Sequence, residues 1–61
     1  MNKTLHEKLN DYILYLKKSV LIKKDIFKLL IGTESYQKAL KELIKIEVLE
    51  EQIKNLEELT K

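Results

Sequence analysis

The chain has 61 residues, of which 44% are hydrophobic and 36% charged, with a net charge of +2 and no cysteine. This length permits a single domain, and a domain so small buries only about 60% of its unfolded surface. The lack of cysteine excludes disulfides, and a single histidine cannot build a zinc site, so we expect no metal and no other cofactor. Stability then has to come from oligomerisation or from a partner.

The first residues, Met-Asn-Lys-Thr-Leu-His-Glu, do not lead from a basic start into an apolar block, as a secretory signal does. The uninterrupted apolar runs at 12–16, 20–22 and 29–31 are far shorter than the roughly 20 residues of a membrane span. We therefore expect a soluble cytoplasmic protein that does not enter a membrane.

A first helix is predicted over about residues 4–30. Thr4 and Glu7 have the Thr-x-x-Glu spacing of a capping box, which marks a helix start. Hydrophobic residues then recur at helical spacing, and four more widen their arc to more than half of the circumference: Tyr15, Ile22, Ile26 and Leu29. Such an arc is typical of a helix that touches two neighbours. The candidate core and interface residues of this helix are Leu9, Tyr12, Leu16, Val20, Phe27 and Leu30.

Two polar residues leave an alternative open. Ser19 and Lys23 would point into the centre of the apolar arc of a straight helix, where an unpaired ammonium group is costly. Either Lys23 extends past its neighbours to water, or the chain breaks between Lys18 and Asp25 and forms three helices. The hairpin is favoured, because neither proline nor glycine enforces a break there.

A turn is predicted at residues 31–35. Gly32 is the only glycine of the chain, which has no proline, and it lies between two helical stretches. Glycine adopts the left-handed conformation that ends a helix at little steric cost, and Thr33 or Ser35 can cap the next helix. The sequence therefore predicts a helical hairpin that turns at Gly32.

A second helix is predicted over about residues 34–59, with Glu34 in its first turn near the positive end of the helix dipole. Ile46, Leu49, Ile53 and Leu56 have the spacing of two coiled-coil heptads. Two heptads are too short to be stable alone, so we expect this seam to pack on the first helix or within a bundle. The candidate core and interface residues of this helix are Tyr36, Leu40, Leu43, Ile46, Leu49, Ile53 and Leu56.

The charges are distributed unevenly between the two halves. Residues 1–31 contain seven lysines and three acidic residues, giving +4, whereas residues 32–61 contain five lysines and seven glutamates, giving −2. An antiparallel hairpin would bring these complementary halves together. The excess of lysine in the first half has another interpretation, because four lysines could contact a polyanion such as nucleic acid. They are Lys17, Lys18, Lys24 and Lys28. The absence of arginine argues against sequence-specific reading of nucleic acid.

No arrangement of residues indicates catalysis. Five glutamates between residues 47 and 58 could pair as carboxylates, but the only histidine, His6, lies in the other helix. Ser19 and Ser35 have no histidine nearby in the sequence to activate them. The glutamates are better explained as a solvated helix face, and we expect that the protein is not an enzyme.

The sequence thus predicts an all-α protein, a two-helix antiparallel hairpin that dimerises into a four-helix bundle. We expect a small non-enzymatic interaction module, a regulatory or inhibitory protein of the type that phages and plasmids often carry. It would bind a larger protein partner through an apolar helix face. The alternative is a nucleic-acid-binding regulator in which a homodimer aligns its lysines into one basic surface.

Overall fold

The two helices run antiparallel and pack against each other in a computed structural model that describes residues 3–60. Helix α1 is Leu5–Gly32 and helix α2 is Tyr36–Leu59, and these residues contain no strand. The all-α hairpin predicted from the sequence is confirmed. It is elongated, with extents of 47 × 22 × 12 Å. Neither helix is sufficiently long and apolar to cross a bilayer.

Helix α1 begins as its capping residues predict and continues without a break. The Glu7 backbone N–H donates to Thr4 Oγ1 at 3.1 Å, which satisfies one of the free amides of the first turn. The alternative with three helices is wrong, because α1 is continuous from residue 18 to residue 25. The Ser19 hydroxyl donates to the Tyr15 carbonyl at 3.1 Å within the same helix.

Lys23 is tolerated in α1 because it is only half buried. Among residues 3–60, no buried side-chain nitrogen or oxygen lacks a hydrogen-bond partner. The Lys23 ammonium therefore keeps its contact with water while its methylene groups lie along the apolar side of the helix. This arrangement removes the physical reason for a break.

The left-handed residue of the turn is not the predicted glycine. Gly32 is the last residue of α1 and its φ is not positive; Glu34 instead has the left-handed conformation, with φ of 60°. The Ser35 N–H donates to the Leu30 carbonyl at 2.8 Å, and the Glu34 N–H donates to the Ile31 carbonyl at 3.1 Å. These two bonds form a Schellman motif with glutamate at the position that usually holds glycine.

The start of α2 also differs from the prediction. Ser35 occupies the N-cap position, but its side chain makes no capping hydrogen bond. Its backbone carbonyl accepts from the Ala39 N–H at 2.9 Å, so α2 begins at Tyr36, two residues after the predicted start. Glu34 therefore lies in the turn and not in the first turn of α2, because its left-handed backbone cannot continue into a helix.

The core is a coiled-coil seam between the helices. Its buried and half-buried residues are separated alternately by three and four positions, which is heptad spacing, so each helix keeps one side toward the other. We call this row the hairpin seam. In α1 it comprises Leu9, Ile13, Leu16, Val20, Lys23, Phe27 and Leu30, and in α2 it comprises Ala39, Glu42, Ile46, Leu49, Ile53 and Leu56. The prediction that the heptads of the second helix pack on the first helix is confirmed.

Candidate binding surfaces

The hairpin exposes an unusually large surface for its mass. Its accessible area is 5162 Å², whereas a compact protein of this size exposes about 4,200 Å². Its radius of gyration is 14.5 Å, compared with about 10.5 Å for a compact domain of equal length. Fourteen large hydrophobic side chains are exposed among residues 3–60. The apolar surface outside the core is therefore the most distinctive feature of the hairpin.

A second row of apolar residues follows α1 beside the hairpin seam. Its residues also alternate between three and four positions apart, and we call it the outer seam. It comprises Tyr12, Tyr15, Ser19, Ile22, Ile26 and Leu29. All but the half-buried Ser19 are exposed, from 41% for Ile26 to 69% for Leu29. Helix α1 thus carries two heptad rows, of which α2 covers one.

The tyrosines at the start of the outer seam are ordered against each other. The rings of Tyr12 and Tyr15 stack, with centroids 6.3 Å apart and planes inclined by 16°. Aromatic rings at this separation attract each other. The two rings therefore form one continuous apolar patch at this end of the outer seam.

The outer seam lies on the edge of the hairpin that carries no interhelical ion pair among the described residues. Each of its residues directly precedes a hairpin-seam residue, which places it about 100° around the helix from that seam. Lys17 and Lys24 directly follow hairpin-seam residues and pair with α2 on the opposite edge. A further helix can therefore pack along the outer seam without displacing α2.

A shorter apolar row lies on α2. Tyr36, Leu40, Ile44 and Val48 are spaced four residues apart and are 55–61% exposed. We call this row the α2 stripe. Because four residues turn a helix by about 400°, the stripe drifts by roughly 40° at each step and winds around the helix. A straight neighbouring helix could cover only part of it.

Ion pairs along the edge opposite the outer seam confirm the predicted charge complementarity of the two halves of the chain. Lys17 Nζ lies 3.4 Å from Glu57 Oε2, and Lys24 Nζ lies 3.6 Å from Glu50 Oε2. All four side chains are about half exposed, so each pair contributes at most about 1 kcal/mol. The four lysines predicted as contacts for a polyanion therefore do not form one surface. Lys17 and Lys24 pair with α2, whereas Lys18 and Lys28 are exposed without an ion pair within residues 3–60.

An open groove of about 680 Å³ runs along this ion-paired edge. Val20, Leu21 and Ile53 contribute apolar lining, and charged side chains such as Lys54 and Glu58 also border it. Nowhere between residues 3 and 60 do three potential metal ligands converge. The groove therefore offers apolar contact area bordered by charge.

The residues predicted for the core or an interface occupy three environments. Those buried in the hairpin seam are Leu16, Val20, Ile46 and Ile53. Those half buried are Leu9, Phe27, Leu30, Leu43, Leu49 and Leu56. Those exposed are Tyr12, Tyr36 and Leu40, so they are not core residues of the hairpin, and their place in an interface stays a prediction.

The exposed three lie outside the core because each helix has one neighbour, which covers only the hairpin seam. Ile13 and Ala39, absent from the candidate set, are buried. Heptad spacing counted from Leu9 and Ile46 would have found both.

Comparison with protein-family models, curated proteins and solved structures finds no match to this chain. The features of the hairpin that bear on function are therefore its two exposed apolar rows and its ion-paired edge.

Proposed function

We propose that this protein is a small non-enzymatic interaction module that acts by binding. It pairs with itself into a four-helix bundle and regulates or inhibits a larger protein through an apolar helix face. The observation that carries this proposal is the outer seam, a heptad row on α1 that no other part of residues 3–60 covers. Heptad rows are the surfaces that helices use to pack on other helices.

The area of the outer seam supports binding. Its exposed fractions are 45% for Tyr12, 63% for Tyr15, 61% for Ile22, 41% for Ile26 and 69% for Leu29. With about 200 Å² for a fully exposed large side chain, these fractions give roughly 550 Å². Apolar patches of about 300–600 Å² are the largest on typical monomers and are often functional. The outer seam lies at the upper end of this range.

Self-association is tested by light scattering on a size-exclusion column over a range of protein concentrations. We expect a wild-type dimer, a helical monomer for Ile22→Asp, and a dimer for Leu21→Asp. The two residues are neighbours on α1 and are almost equally exposed, 61% and 63%, but only Ile22 belongs to the outer seam. A wild-type monomer at every concentration, or equal effects of the two substitutions, would contradict self-pairing through this row.

Binding of a larger partner is tested by capture with the tagged protein at low and high salt. Because self-pairing would cover the outer seam, we place the larger partner on the other exposed apolar row, the α2 stripe. A partner held there by apolar contacts should remain at high salt and be lost with Ile44→Asp. Asn55→Asp, at another exposed position of α2, is the matched control. Retention of nucleic acid that falls steeply with salt and requires Lys18 and Lys28 would favour the alternative of a basic dimeric surface.

A further inference from the structure

We infer that the outer seam of α1 is covered by the outer seam of a second copy, running antiparallel, with the two-fold axis between Ser19 and Ile22. The inference rests on the proposed self-association and specifies its surface, direction and register. Both α2 helices then lie on the outside of the bundle. The α2 stripes stay exposed there.

The register follows from the order of residues along the outer seam. In an antiparallel pair, Tyr12 lies opposite Leu29 of the second copy, Tyr15 opposite Ile26, and Ser19 opposite Ile22. The same three layers recur on the other side of the axis, so all six residues have a partner. Each tyrosine meets an aliphatic side chain, and the small Ser19 meets a branched one. The row is therefore self-complementary, as a two-fold interface requires.

The area is adequate for a specific pair. Full coverage of about 550 Å² on each copy would bury roughly 1,100 Å², which is about the 1,000 Å² expected of a biological interface. The α2 stripe is a poorer candidate, because it has four residues and winds around its helix. The outer seam keeps to one side of α1 from Tyr12 to Leu29, a length of about 25 Å.

Charges beside the outer seam favour the antiparallel direction. Asp11, Lys18 and Asp25 are exposed and follow one another along α1 at seven-residue intervals, so they form an alternating row. In a parallel pair, each Lys18 would approach Lys23 of the other copy, giving two like-charge contacts. In the antiparallel pair, the residues of this alternating row lie on the same side of the interface in both copies, so each Lys18 approaches Asp25 of the other copy. The only like-charge contact is then between the two Lys23 residues, on the other side of the interface.

The chain has no cysteine, so single cysteines can report the direction. Ser19→Cys places a thiol near the two-fold axis. Lys8→Cys continues the outer seam toward the N-terminus, where the two copies would be about 37 Å apart in the antiparallel register and adjacent in a parallel pair. Glu51→Cys, exposed on α2, is a control for random collision. Each variant is treated with a short bis-maleimide cross-linker after its mass is measured by light scattering.

We expect Ser19→Cys to be cross-linked efficiently, and Lys8→Cys and Glu51→Cys to react no more than by collision. Efficient cross-linking of Lys8→Cys would overturn the antiparallel direction. A dimer in which Ser19→Cys is not cross-linked would overturn the assignment to the outer seam while leaving self-association intact. Variants that are all monomeric, like the wild type, would overturn both this inference and the proposed self-association.

Discussion

Substituting Gly32 with alanine should stabilise the hairpin. Gly32 lies in the last turn of α1 without a positive φ, and a Cβ built there would meet no atom within 4 Å. Alanine can adopt this conformation, has a higher helix propensity, and restricts the unfolded chain. We expect a gain of about 0.5–1 kcal/mol in the free energy of unfolding, since glycine within a helix costs about that much relative to alanine.

The complementary change, Glu34→Gly, should also stabilise. Glu34 has φ of 60°, a conformation that costs a residue with a Cβ roughly 1–2 kcal/mol. Glycine removes that cost but adds about 0.4–1 kcal/mol of unfolded-state entropy, so the net gain is about 0.5–1 kcal/mol. Moving the glycine two positions along the chain by combining both changes should therefore gain about 1–2 kcal/mol, which raises Tm by about 4–16 °C.

Urea unfolding followed by far-UV circular dichroism measures these changes, with all variants at one protein concentration because self-association would shift the midpoint. Glu34→Ala is the matched control, since it keeps the left-handed cost and should change stability by less than about 0.5 kcal/mol. A loss of more than about 1 kcal/mol for Gly32→Ala would refute the reasoning, because it would mean that Gly32 is the left-handed residue of the turn.

Three further substitutions test the core, the helix start and the charged edge by the same unfolding assay. Leu16→Ala, at 4% exposure, should cost about 2–4 kcal/mol, whereas Leu14→Ala, at 57% exposure, should cost far less. Thr4→Ala should cost about 1 kcal/mol by removing the acceptor for the Glu7 amide; an unchanged midpoint would mean that this bond does not stabilise α1. Lys17→Ala should cost less than about 1 kcal/mol, and a larger loss would show that its pair with Glu57 is not a typical surface pair.

The helices could be predicted from the sequence because their signals are local. The hydroxyl of Thr4 and the spacing of the apolar residues act within one or two helical turns, and no tertiary contact overrides them. The turn was harder to predict, because a lone glycine marks the end of a helix only within a few residues. The structure places the left-handed backbone at Glu34, where the two Schellman bonds form, and keeps Gly32 helical.

The candidate surfaces could be predicted only in part. The width of the apolar arc on α1 indicates two neighbours, but it does not tell which row faces α2. Which row is covered depends on the position of α2, and the ion pairs of Lys17 and Lys24 show which edge of α1 lies beside α2. Tyr12 and Ile13 are adjacent in the sequence, yet one is exposed and the other buried, since about 100° of helix rotation separates them.

The turn also has a kinetic consequence. Contacts near it join residues close in sequence, whereas the pair of Lys17 and Glu57 joins residues 40 positions apart. Closing short loops costs less entropy, so the hairpin should form first at the turn and extend toward its open end. Glu34→Gly, which removes the free-energy cost of the left-handed backbone, would then speed folding with little change in the rate of unfolding. Destabilising substitutions at the open end would mainly speed unfolding.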